Sequence, residues 1–187
     1  MAGAKVVIVP GLRDHVPEHW QTNLAASLPG ARTVPPMGRI DLDCTSRVAE
    51  IERVVQSIDG PVVLVAPSGG VVAAVHSANR CKRGVHGALL AAPADFEEPM
   101  PDGYPTMGSL RANGWLLVPQ SRLPFPSIVA ASRDDPLCRF DRAVAMSHDW
   151  GSRTVDLGNA GHLNPASGFG PWPQAQDLIA GLICNSN

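Results

Sequence analysis

Lysine is nearly missing from this chain: Lys5 and Lys82 are the only two in 187 residues. The other basic residues are arginines scattered along the sequence, and the formal charge is −2. That excludes a polybasic patch and, with it, the electrostatic footprint of a nucleic-acid or anionic-membrane binder. No apolar run reaches membrane-spanning length, so no transmembrane helix is expected. A signal-peptide layout is missing too, because Lys5 is followed by only a short apolar strand before Pro10–Gly11; the expected location is cytoplasmic. The four cysteines, Cys44, Cys81, Cys138 and Cys184, form no C-x-x-C pair and read as reduced, partly buried thiols. Neither H-E-x-x-H nor a G-x-x-x-x-G-K-[ST] phosphate loop occurs, and no metal or cofactor is expected.

What the chain does have is apolar residues (44%) against few charged ones (17%), the balance of a compact globular protein. Its length suits one domain, residues 1–187. The most informative stretch is Pro61 to Val75, PVVLVAPSGGVVAAV. Five apolar residues, Val62 to Ala66, have the composition of a strand covered on both faces, and a helix-compatible run begins after Gly70. Ser68 therefore stands at a sharp strand-to-helix junction, with Ala66 two residues before and Gly70 two after. This is a relaxed G-x-S-x-G nucleophile elbow, where small neighbours let the strand and helix backbones pass closely.

Around that junction, strands and helices alternate. Lys5 to Val9 reads as the first strand, followed by a helix from about Pro17 and a brief strand over Ala31 to Val34. A helix capped by Asp43 or Thr45 carries Val48, Ile51, Val54, Val55 and Ile58 at three- and four-residue spacing. Later strands are expected over Val85 to Ala92, Ser127 to Ala131 and Arg153 to Leu157, with helices over Arg139 to Trp150 and Pro173 to Cys184. Residues 95–124 form a long, lid-like excursion with one helix around Met107 to Asn113; loops of that length are usually functional. The pattern predicts an α/β fold, a mostly parallel six-stranded sheet with helices on both faces and no separate cap domain.

A serine hydroxyl needs a base, an orienting acid and an oxyanion site to act as a nucleophile at neutral pH. In a hydrolase of this layout the acid and the base follow the serine, each from a loop at a strand's C-terminal end. Ser132-Arg133-Asp134-Asp135-Pro136 follows the fifth strand, and Gly158-Asn159-Ala160-Gly161-His162 follows the sixth. The catalytic candidates are thus Ser68, Asp135 and His162. Pro136 pushes Asp135 into an extended conformation, so the two carboxylates point differently. Asp135 is preferred because the acid of such hydrolases commonly precedes a proline, which leaves Asp134 as a loop or cap residue or a modulator of the acid. The oxyanion donors are expected at Gly69 and at Leu12, with Arg13 as the fallback, since Pro10 has no N–H. His15 and His19 read as rim or capping groups, not metal ligands, and Arg13 and Asn164 join them as pocket candidates. Trp115 reads most simply as core or lid packing, with an apolar acyl pocket as its other place.

These residues resemble the small serine hydrolase family typified by retinoblastoma-binding protein nine. The likeness is carried by VIVPG at Val7 to Gly11, His19-Trp20, SGG at Ser68 to Gly70, AAPADF at Ala91 to Phe96, DDP at Asp134 to Pro136, and GHLNPASGFGPWP from Gly161 to Pro173. It implies a cap-less α/β hydrolase with a Ser–Asp–His triad, which carries over to Ser68, Asp135 and His162, and ester, amide or aminopeptidase activity without a cofactor. Relatives often place histidine immediately before the nucleophile, whereas here Pro67 removes an N–H and stiffens φ. That departure motivates an alternative reading: a weak or inactive hydrolase scaffold that binds a protein partner.

Overall fold

The computed structural model describes residues 4–12, 16–36, 41–78, 80 and 84–184. Six strands form one sheet: β1 (Lys5–Ile8), β2 (Arg32–Thr33), β3 (Val62–Ser68), β4 (Val85–Pro93), β5 (Ser127–Ala131) and β6 (Arg153–Asp156). Their order is β2-β1-β3-β4-β5-β6 and every neighbouring pair is parallel. The chain builds outward from β1 to β2, returns across β1 to β3, and then proceeds to β6. The loops after β1 and β3 therefore leave in opposite directions and open a crevice at the C-terminal edge, the usual place for a ligand in such sheets.

Parallel strands need helical crossovers, and these cover both faces. Helices α2 (Cys44–Gln56), α3 (Gly69–Ala78) and α5 (Phe140–Trp150) pack on one face, with α4 (Met107–Ala112) at its margin. Helices α1 (Trp20–Ser27) and α6 (Gln174–Cys184) pack on the other. The alternation along β3 is strict: Val62, Leu64 and Ala66 enter the first core, while Val63 and Val65 enter the second. Both sets are fully buried, which is why the strand reads as one continuous apolar run. Among the described residues, no helix is long and apolar enough to cross a membrane.

Helix ends follow local chemistry. Asp43 caps α2, its carboxylate accepting from Ser46 N–H at 2.6 Å, so Asp43 and not Thr45 is the cap. α5 stops at Gly151, whose φ of 66° is a left-handed terminus. α1 begins at Trp20 and not near Pro17, because the chain turns over residues 17–19 and His19 is the extended N-cap, its Nδ1 accepting from Gln21 N–H. β2 shrinks to two residues, for Pro35 and Pro36 cannot donate to a ladder. Within 95–124 the expected helix forms, but the segment is as much core as covering. Leu110 and Trp115 are completely buried, and Phe96, Val118 and Leu123 join the same cluster.

Candidate active site

Ser68 is the last residue of β3 and Gly69 the first of α3, so the chain reverses there within one peptide. Ser68 has φ 54°, a left-handed conformation that costs a non-glycine residue roughly 1–3 kcal/mol and persists only when its surroundings dictate it. Here they do. A Cβ at Gly70 would stand 2.8 Å from the Pro10 carbonyl oxygen and closer still to that of Val9. Only glycine therefore lets α3 start against the end of β1. Across the ladder, pairing slips between Pro67 and Ser68: Pro67 faces Ala91 but Ser68 faces Pro93. The extra residue, Ala92, also has a positive φ of 45°. Pro67 thus sits immediately before an irregular step that re-aims the serine.

His162 lies between Ser68 and Asp135. Its Nε2 is 2.8 Å from Ser68 Oγ, and its Nδ1 is 2.9 and 2.8 Å from the two carboxylate oxygens of Asp135. A carboxylate can only accept, so Nδ1 carries the proton and Nε2 offers its lone pair to the serine O–H. His162 and Asp135 are buried, and Asp135 Oδ1 also accepts from Leu137 N–H at 2.8 Å, which fixes the acid's rotamer. Asp134 points elsewhere, its Oδ1 accepting from Ser132 Oγ–H and Gly161 N–H. The arrangement can withdraw a proton from Ser68 while holding the imidazolium that results.

The hydroxyl opens onto a cavity of about 440 Å³. Leu12 and Gly69 line it beside Ser68, and Gly69 N–H belongs to the first turn of α3, where amides lack helical partners and the dipole is positive. His19 and Asn164 also line it. Asn164 caps a 3-10 turn over Pro165–Ser167, its Oδ1 accepting from Ser167 N–H at 2.9 Å, which turns Pro165 and Ala166 onto the wall. Arg13 and His15 lie outside the described residues, as do Asp14 and Cys81. Among the described residues no cluster of three or more His, Cys, Asp or Glu side chains could hold a metal ion. Cys138, three residues beyond Asp135, is buried, and burial reinforced by the Asp95 and Asp135 charges pushes its thiol up to about 12, so it stays protonated.

As a pocket candidate Trp115 requires a correction, since it does not line the cavity. It is fully buried one layer behind, edge-on to Phe96 at 5.5 Å between ring centroids, with Nε1 donating to the Leu42 carbonyl at 2.6 Å. Phe96 and Leu42 are the lining residues. Sequence reasoning missed both; Leu42 carried no signal, while Phe96 fell in the AAPADF motif. Trp115→Ala is accordingly expected to act on stability, costing about 3–5 kcal/mol through the cavity left behind. Urea unfolding checks it, and a cost below about 1 kcal/mol would contradict that packing role.

A family model described as serine hydrolase matches residues 6–181. Among solved structures, a YdeN-like hydrolase from Pectobacterium atrosepticum is 31% identical with TM-score 0.81, covering 96% of this chain and 90% of its own. The ydeN gene product of B. subtilis has TM-score 0.72 at 16% identity, covering 96% of this chain and 98% of its own. Est1E from Butyrivibrio proteoclasticus has TM-score 0.73 at 14% identity, covering 98% and 89%. The last two speak to the fold alone. No curated protein matches the sequence.

Proposed function

We propose that this chain, which belongs to the serine hydrolase family, is an esterase acting on small, uncharged carboxylic esters through Ser68, His162 and Asp135. The observation that carries the reading is the unbroken hydrogen-bonded line from Asp135 through His162 to Ser68. Ser68 Oγ attacks the ester carbonyl carbon as His162 Nε2 takes its proton, and the carbonyl π electrons move onto oxygen. The N–H groups of Gly69 and Leu12 are assigned to that oxyanion. Collapse of the intermediate expels the alkoxide, which takes the proton back from His162, leaving an acyl-Ser68. Water, deprotonated by the same imidazole, repeats the sequence and releases the acid. Asp135 holds the ring in the Nδ1–H tautomer throughout. Amides fit the same steps more slowly, because their leaving group is poorer.

The wall supports an apolar acyl group. Leu12, Val16, Leu42, Phe96, Met100 and Leu137 are part of it, and the described lining residues include no Asp, Glu, Lys or Arg. Burying an unpaired charge there would be costly. In a series of p-nitrophenyl esters, kcat/KM should therefore rise with chain length until the cavity is filled and then fall, whereas ω-carboxylated acyl esters should be poor substrates. A flat profile, or preference for the carboxylated esters, would contradict the assignment. The alternative, a non-catalytic binder, rests on Pro67. Against it, Ser68 keeps its left-handed φ and its bond to His162 with Pro67 in place. Fluorophosphonate labelling separates the two, since a folded but unreactive protein would favour the binder.

A further inference from the structure

We propose that Asp134 is a positioning residue that holds the backbone of the histidine loop, so that the two adjacent carboxylates divide the work on His162: Asp135 orients its ring and Asp134 its main chain. This rests on the triad reading above and extends it to a side chain that touches neither the imidazole nor the cavity. Asp134 Oδ1 accepts from Gly161 N–H at 2.7 Å, across 27 positions of sequence, and Gly161 is the residue immediately before His162. The same oxygen accepts from Ser132 Oγ–H at 2.8 Å, and Ser132 Oγ in turn accepts from Ala160 N–H at 2.9 Å. Arg133 N–H donates to the Gly158 carbonyl at 2.8 Å. Residues 132–134 thus grip the chain at 158, 160 and 161, which is everything leading into the histidine except Asn159.

That grip has a reason. His162 lies between two residues in the left-handed region, Gly161 at φ 58° and Leu163 at φ 50°. Leu163 is held from one side by complete burial in the second core. Gly161 is held by hydrogen bonds, and a Cβ on it would come within 2.8 Å of Ser167 Oγ, so the chain there is wedged between Asp134 and the Asn164–Ser167 turn. A backbone in this conformation stays put only when its surroundings over-determine it. Release of the Gly161 amide would let the loop relax and carry the imidazole away from Ser68 and Asp135. The acceptor strength is in place as well: the Ser132 hydroxyl first, and the Gly161 amide second, hold the Asp134 carboxyl below its usual range.

The test compares Asp134→Ala with Asp134→Asn, whose carboxamide oxygen accepts the same two bonds without the charge. Asp134→Ala should lower kcat on a p-nitrophenyl ester about 10–100-fold, the scale of an ångström-sized displacement of a reacting group, with KM little changed. Asp134→Asn should recover most of that loss. The second readout does not depend on turnover: the far-downfield proton resonance of the His162 Nδ1–H bonded to Asp135, recorded in the Ser68→Ala background. It should persist with Asp134→Asn and vanish or broaden with Asp134→Ala. An alanine variant with normal kcat and an intact resonance overturns the proposal, and so does an equal loss in both variants, which would make charge rather than hydrogen bonding the cause. Should Asp134→Ala not fold, hydrogen exchange of the Gly161 amide in the wild-type protein decides, since the bond to Asp134 should protect it and an unprotected amide overturns the proposal. If Ser68→Ala keeps full activity, the triad reading fails, yet the resonance still reports whether Asp134 holds the loop.

Discussion

Replacing Ser68 with alanine is expected to lower kcat by about four to six decades, as in serine enzymes that lose their nucleophile. Oγ is the atom that would form the acyl bond, and it is the hydroxyl that His162 Nε2 faces, at 2.8 Å. The change should leave the fold nearly untouched, because alanine also tolerates the end of a buried strand and Ser68 is already held at φ 54° by Gly70 and the end of β1. The variant should therefore unfold at close to the wild-type denaturant concentration while failing to react with a fluorophosphonate. Undiminished esterase activity in a purified, folded Ser68→Ala protein would remove this serine from the mechanism.

Asp135→Asn should cost about 10⁴-fold in kcat, although the side chain keeps its shape. The carboxylate accepts from Leu137 N–H through Oδ1 and meets the ring nitrogen with both oxygens. With one oxygen replaced by NH₂, the bond to Leu137 keeps the remaining oxygen in place and turns a donor toward His162 Nδ1. The ring then satisfies it by carrying its proton on Nε2, the nitrogen that must accept from Ser68. The expected signature is a collapse of kcat with little change in KM, partly relieved at high pH as hydroxide substitutes for the lost base. Loss of less than tenfold would show that Asp135 is not the orienting acid.

Much of this architecture is legible in the amino-acid order. Val62 to Ala66 announces a strand buried on both faces, and the small residues around Ser68 announce the reversal, because these are properties of neighbours along the chain. The cap of α2, narrowed to Asp43 or Thr45, and the end of α5 at Trp150 are equally local. The serine–acid–base order is legible for a related reason: in a parallel sheet every strand ends at the same edge, so three post-strand loops must share it. The start of α1 is less legible, since Pro17 and Glu18 suit a first helical turn as well as the bend they occupy.

The sequence by itself thus determined the alternation of strands and helices, the elbow at Ser68 and the sheet edge where its partners gather. Only the tertiary structure decided which way each side chain faces. Pro136 says that Asp134 and Asp135 diverge, but not that one meets the imidazole and the other the Gly161 amide. Likewise, nothing local puts Phe96 and Leu42 on the cavity wall and Trp115 behind them. The physical reason is distance along the chain. Periodicity and turn chemistry are settled within a few residues, whereas contacts spanning 27, 73 or 94 positions depend on how whole elements pack.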